Sequence, residues 1–416
     1  MTGLSRLRRL APYGAAAVLA LALTACAQEH PNTTFVPHSE FGRSIDFLWN
    51  RLLLLGTIVF VLVETALLYV AFRYRRRDEH VVPPQTHGNT TVEIIWTLIP
   101  ALILVFIAVP TVQTNFKTQA PASADALQIE VYGHQWWWEF HYPQYNVTVA
   151  NEIYLPTGRT VNFTLQTKDV LHSFWIPQLG GKRDLIANHT NHLWFTPDAN
   201  MPASVWNGFC AEYCGSSHGN MHFRVFTVSP QEFDSWAKGQ QAPAAFSTQP
   251  AATPAPAAVA TASVVPAPPS STPVSTVAYV FPREKLPAYA IPQTPTPDGL
   301  TYNPQIVGDP SRGEKLFGGA GTCLACHTIQ GNPMAVGNIG PNLTHVSSRY
   351  TIAGGLYPND AAHLTRWIKN ARMMKPGSIM PTLGKGQYDP QLNTTNSAGL
   401  DDQQIADLVA YLQKLK

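Results

Sequence analysis

The chain has 416 residues, which suits two or three domains rather than one. A formal net charge of +2 excludes the strong basic excess of a nucleic-acid binder. Charged residues make up only 13% and the apolar ones are clustered, so membrane spans rather than one large soluble core account for the hydrophobicity.

Residues 1–26 read as an export signal. Arg6, Arg8 and Arg9 precede an apolar run from Ala15 to Leu23 that is too short to cross a bilayer. Leu23-Thr24-Ala25-Cys26 resembles a bacterial lipobox, which implies cleavage before Cys26 and its lipidation. Acyl chains on Cys26 would hold the mature N-terminus to membrane lipid at the outer face. The alternative is an uncleaved anchor with an inert Cys26.

Residues 27–118 carry two apolar runs, at about 49–72 and 93–113. At ~1.5 Å per residue the first is roughly 36 Å long, enough to span a membrane. It ends in Arg73-Tyr74-Arg75-Arg76-Arg77, a cluster that stays cytoplasmic. The two runs therefore form a hairpin, and everything after about residue 115 lies outside the bacterial cytoplasmic membrane. Glu64 sits inside the first run, where an acid is expected to face protein, here a helix–helix contact. Thr90-x-x-Glu93 has capping-box spacing at the start of the second run.

From 119 to 238 the pattern changes to short β segments. Gln128-Ile129-Glu130-Val131-Tyr132 and Val161-Asn162-Phe163-Thr164-Leu165 alternate with period two, which suggests a sandwich or barrel. Within it, Cys210, Cys214, His218 and Met221 fall in one short stretch with Glu212. Two thiolates, an imidazole and a thioether suit copper, and the thioether argues against zinc. A Cys210–Cys214 disulfide is the structural alternative, because exported proteins are oxidised. His172 lies upstream, after a β segment. Gly133-His134-Gln135-Trp136-Trp137-Trp138 is an aromatic cluster that core packing alone could explain.

The set His172 with Cys210-x-Glu212-x-Cys214-x-x-x-His218-x-x-Met221 resembles the dinuclear copper (CuA) site of cytochrome c oxidase subunit II. The resemblance runs over roughly residues 40–235 and implies a cupredoxin-like β-sandwich after the transmembrane hairpin. It implies that Cys210 and Cys214 bridge two coppers. His172 and Met221 would complete one, and His218 with the Glu212 carbonyl the other. The Glu212 carboxylate would reach a magnesium ion shared with subunit I, a hard cation suited to oxygen. Trp136 would be the electron entry, and Glu93 the mouth of a proton path, against its plainer capping role. Quinol-oxidising relatives lack the copper ligands. All six positions are present here, which speaks against direct quinol oxidation.

Residues 239–307 are rich in Pro, Ala, Ser and Thr and read as a linker. Tyr279, Phe281 and Tyr289 suggest that its second half lies against a domain surface. A tether of this kind keeps its cargo at roughly millimolar effective concentration. The cargo is residues 308–416, expected to be all-α. Cys323-Leu324-Ala325-Cys326-His327 is the covalent haem c signature, with His327 as an iron ligand. Asp309-Pro310 opens a helix, 359–374 is expected to be helical, and Ile405, Leu408, Val409 and Leu412 share one face of a last helix. A methionine is expected as sixth ligand, since Met/His ligation raises the potential. Ile379-Met380-Pro381 after Lys375-Pro376-Gly377 resembles the axial-Met loop of class I cytochrome c, which selects Met380 and leaves Met334 to loop packing. Gly340-Pro341-Asn342-Leu343 is similar to that family's loop whose proline carbonyl orients the histidine.

Together these features imply a caa-type oxidase subunit II, the electron-transfer subunit of a haem–copper terminal oxidase. Subunits I and III, and cytochrome c or another periplasmic donor, are the implied partners. A nitric oxide reductase subunit and a free-standing membrane relay are the competing readings. The two spans and Glu93 weigh against a relay, which would need only a lipid anchor.

Overall fold

The computed structural model describes residues 30–75, 85, 87–244 and 278–416. The signal segment with Cys26 lies outside them.

Two long helices open the fold, α1 (Glu40–Arg73) and α2 (Thr90–Gln119). Both are long and apolar enough to cross a membrane. Each runs past its apolar stretch because its outer end docks on the β domain. Ser39 caps α1 by accepting from the Gly42 N–H, and Phe41 is buried edge-on against Trp194. Arg43 pairs with Asp198 at 2.8 Å, and the Thr196 N–H donates to Glu40 at 3.0 Å. Lys117 of α2 donates to Ser44 of α1 at 2.8 Å, and Trp194 donates to the Ala120 carbonyl at 2.7 Å. The hairpin is thus fixed to the soluble domain at its outer end.

Two expectations about the hairpin need correction. Asn89, not Thr90, is the N-cap of α2: its side chain accepts from the Val92 N–H, and Thr90 is the first helical residue. Asn accepts as well as Thr and stands one position earlier. Glu64 is exposed on α1 rather than held between the helices. Within this chain the two helices are too sparsely packed to cover it.

The β domain holds two five-stranded sheets. The first joins β1 (Leu127–His134), β2 (Trp137–Tyr142), β3 (Val147–Ala150), β5 (Val161–Thr167) and β8 (Asn191–Phe195), in the order β3-β2-β1-β5-β8. The second joins β4 (Glu152–Pro156), β6 (His172–Trp175), β7 (Arg183–Leu185), β9 (Ser204–Cys210) and β10 (His222–Val228), in the order β4-β10-β9-β6-β7. Alternation along β1 buries Leu127, Ile129 and Val131 while the residues between them stay partly exposed. Between the sheets lie Trp138, Phe140, Phe163, Phe174 and Phe223, with the last two stacked at 4.9 Å. Each buried ring of this size contributes roughly 2–3 kcal/mol of hydrophobic stabilisation. Helix α3 (Pro230–Gln241) closes the sandwich from a Ser229–Glu232 capping box, burying Phe233 and Trp236.

From residue 278 the chain runs back over the β domain. Phe281 enters the sandwich core beside Phe226, and the Tyr289 hydroxyl donates to the Val205 carbonyl at 2.8 Å. This part of the expected linker is a packed strap, not a free tether.

The C-terminal domain is built from α4 (Pro310–Gly318), α5 (Ala361–Lys369), α6 (Ala371–Met374) and α7 (Asp402–Leu412). Asp309 caps α4 with Pro310 at its first position, and an Asp401–Gln404 capping box opens α7. α4 and α7 cross at Gly308 and Gly313, where an added Cβ would strike the carbonyls of Ala406 and Asp407. Asp407 is buried here and accepts from the Asp309 N–H at 2.7 Å and from Arg312 at 2.7 and 2.8 Å. The domain is not purely α-helical. Two short ribbons, β11 (Thr351–Ile352) with β12 (Tyr357–Pro358) and β13 (Tyr388–Asp389) with β14 (Thr394–Thr395), fold loops too short and irregular for periodicity to reveal.

Candidate metal centre

Strand β9 ends at Cys210, and the chain then loops through Cys214 and His218 to Met221 before re-entering the sheet as β10. The register Phe174↔Cys210 between β6 and β9 brings His172 to the same loop. The sulfurs of Cys210 and Cys214 are 3.7 Å apart. His172 Nδ1 lies 3.8 Å from the Cys210 sulfur and His218 Nδ1 lies 3.6 Å from that of Cys214. Met221 Sδ is 3.9 Å from Cys214, and the Glu212 carbonyl is 3.2 Å from Cys210. Both cysteines are free and buried, so the disulfide alternative is not what the chain forms here. The contact between the two sulfurs holds the Cys210 thiol well below the usual thiol range, while that same contact and burial push Cys214 up.

Asp169, which the sequence reading did not single out, orients this cluster. Its carboxylate holds His172 Nε2 at 2.8 Å and accepts from the N–H groups of Gln135 and Val170 at 2.6 and 2.7 Å. Burial lowers the His172 pKa, but the bonds and charges of Asp169 and Cys210 together outweigh it and the net direction is up. A carboxylate behind a ligating histidine fixes its tautomer and aims its other nitrogen. An acid three residues before a candidate histidine is the signal that could have found it. The Glu212 carboxylate accepts from the Tyr213 N–H at 3.1 Å. Glu93 is exposed in the first turn of α2, remote in sequence and element from this loop.

In the C-terminal domain one apolar cavity is lined by Cys323, Cys326, His327 and Met380, together with Leu364, Ile368 and Leu408. His327 Nδ1 donates to the Pro341 carbonyl at 2.8 Å, and burial lowers its pKa. The imidazole is therefore neutral and presents its other nitrogen as a lone pair. Met374 is packed into the hydrophobic core, whereas Met380 faces the cavity. Met334 is exposed at the surface rather than packed in its loop, because the turn holding it projects from the domain.

Gln135, Trp136 and Trp137 of the β domain line the same cavity. The Trp136 Nε1–H donates to the Cys214 carbonyl at 2.9 Å, and Gln135 donates to that carbonyl at 2.8 Å. On its other side the Trp136 ring lies against Gly377, where a Cβ would come within 2.5 Å of it. One indole thus touches the cysteine loop and the cavity wall.

Three family models match the chain: "Cytochrome C oxidase subunit II, transmembrane domain" over 37–114, "Cytochrome C oxidase subunit II, periplasmic domain" over 146–228, and "Cytochrome c" over 310–416. Cytochrome c oxidase subunit 2 of Alkalihalophilus pseudofirmus is 30% identical over 408 residues, covering 96% of this chain and 95% of that one. The chain belongs to the cytochrome c oxidase subunit 2 family. The subunit 2 of Bacillus sp. PS3 is also 30% identical, over 83% of this chain and 80% of its own. The probable subunit 2 of Rickettsia bellii is 34% identical but covers only 50% of this chain. This subunit 2 is accordingly an electron-transfer subunit of a haem–copper terminal oxidase, an oxidoreductase complex that includes other oxidase subunits. Its cytochrome c domain implies haem c and its periplasmic domain implies copper. The two apolar helices lie in the membrane with the remaining domains outside it.

Proposed function

We propose that this chain takes electrons at its C-terminal domain from cytochrome c or another periplasmic donor and hands them through Trp136 toward subunit I, where oxygen is reduced to water. The observation that carries the reading is the position of Trp136, hydrogen-bonded to the Cys214 loop and exposed to the cavity that holds His327 and Met380.

The residues fit the groups they would hold. Cys210, Cys214, His172, His218, Met221 and the Glu212 carbonyl would hold a copper pair. Soft sulfur and imidazole donors favour copper, which cycles between two oxidation states. Cys323 and Cys326 would hold haem c through thioethers, and His327 and Met380 would ligate its iron. Held in these two places, the groups supply one-electron carriage on either side of Trp136. The chain's own task is positioning. Asp169 fixes His172, the Pro341 carbonyl fixes His327, and the apolar lining around Leu364, Ile368 and Leu408 keeps water out.

Further roles rest on the family. The Glu212 carboxylate would meet magnesium at the contact with subunit I, Glu93 would open a proton path there, subunit III would complete the assembly, and lipid on Cys26 would add an anchor.

Metal removal tests the reading. The purified membrane complex should contain haem c and a copper pair per chain and should consume oxygen when given reduced cytochrome c. A copper chelator should stop oxygen uptake while leaving haem c reducible by the same donor. Undiminished oxygen uptake after complete copper loss would rule out the route.

A further inference from the structure

The C-terminal domain does not hang from its tether. It is bonded to the β domain by two buried charged side chains that cross the interface in opposite directions. Glu152, on edge strand β4, is only 5% exposed. Its carboxylate accepts from the Tyr350 N–H at 2.9 and 3.1 Å, and from the Thr351 N–H and hydroxyl at 2.8 Å each. Lys375 of the C-terminal domain is 4% exposed, and its ammonium donates to the carbonyl of Trp136 at 2.6 Å and of Ala353 at 2.9 Å. Between these points the His222 N–H donates to the Gly354 carbonyl at 3.0 Å, and the Ser217 hydroxyl donates to the Pro376 carbonyl at 2.6 Å. Tyr350 itself belongs to the hydrophobic core of the β domain.

Burying a carboxylate and an ammonium is costly unless each is hydrogen-bonded. Glu152 spends these bonds on the other domain, and Lys375 divides its two between the other domain's Trp136 carbonyl and the Ala353 carbonyl of its own. We propose that Glu152 and Lys375 are positioning residues that lock the C-terminal domain over Trp136, so that the docked arrangement is the resting state. The first holds the 350–351 ribbon, and the second holds the backbone of Trp136 itself. An external redox protein is thereby kept from the Trp136 face and can deliver electrons only through the C-terminal domain. This inference rests on Trp136 as the bridge between the two sites, but its failure is separable from a failure of that reading.

The test uses the full chain in its purified complex. Hydrogen exchange should find the Tyr350 and Thr351 amides protected in the wild type. In Glu152→Ala those amides should exchange roughly 10- to 100-fold faster, the loss expected for one or two charge-assisted bonds. Helix α7 and strand β10 should keep their protection, and Glu152→Gln, which retains an acceptor, should fall between. In Glu152→Ala and Lys375→Met, electron transfer from haem c to copper should slow and become dependent on solvent viscosity, with copper absorption unchanged in both and haem potential unchanged in Glu152→Ala. Fast exchange at Tyr350 and Thr351 in the wild type overturns the lock, even where the variants fail to assemble. So does Glu152→Ala with wild-type protection, or a viscosity-independent rate in both variants. If instead Trp136→Leu leaves the rate unchanged while these amides stay protected, the lock stands and the Trp136 route fails.

Discussion

Cys214→Ser should leave haem c in place and strip the copper from the complex. The Cys214 sulfur lies within 4 Å of three other donor atoms, those of Cys210, His218 and Met221. Losing a group that merely orients a metal ligand costs roughly 10- to 100-fold in affinity. Losing a shared ligand exceeds that, because a serine hydroxyl is harder than a thiolate and keeps its proton at neutral pH. Oxygen uptake fed through the C-terminal domain should fall by more than roughly 100-fold for that reason. The haem spectrum should be unchanged, since Cys214 does not line that pocket and the substitution keeps the backbone carbonyl that accepts from Trp136. Copper analysis against haem c absorbance checks this directly. Wild-type copper content in the variant would contradict the assignment.

Gly313→Ala should destabilise the C-terminal domain more than its chemistry suggests. The added methyl would overlap the Asp407 carbonyl and come within 2.8 Å of Tyr411 Cβ. Backbone cannot swing aside as a flexible side chain can, so the penalty sits at the upper end of overpacking, about 3 kcal/mol. Alanine's better helix propensity returns ~1 kcal/mol, leaving a net loss of about 2 kcal/mol. For a domain of this size that corresponds to a fall in Tm of roughly 10 °C. Thermal unfolding of the full chain, followed at the haem band, reads it. A Tm within ~2 °C of wild type would show that the helices can separate at no cost.

What the sequence revealed and what it hid divide along chain distance. Cys210 to Met221 form a single loop, so spacing alone carried their geometry, and only His172 had to be brought from another strand. The haem signature and Met380 are likewise local patterns. Asp169 was missed because one acid beside a histidine is common, and only the fold shows it bonded to the ring. Glu152 and Lys375 were illegible for a stronger reason. Glu152 meets partners almost two hundred residues away in the chain, and nothing in the short run Glu152–Pro156 marks its acid as buried. The aromatic residues after 278 suggested contact with a domain surface, but not that Phe281 would enter the sandwich core. The free tether that the Pro-rich composition of 239–307 suggested gives way to a docked domain. Polar residues at α1's outer end hid the extra turns that fasten the hairpin to β8.

Electron passage between the two sites turns on Trp136. The direct test is to inject an electron photochemically into haem c of the full complex and follow its arrival at copper, in wild type and in Trp136→Leu and Trp136→Phe. With copper and haem content equal, Trp136→Leu should slow the transfer by at least roughly tenfold, as expected when a positioned contact is lost at both ends. Trp136→Phe, which keeps the ring but not the Nε1–H donor to the Cys214 carbonyl, should be intermediate. Equal rates in all three proteins would mean that electrons cross by another path and that Trp136 only packs the interface.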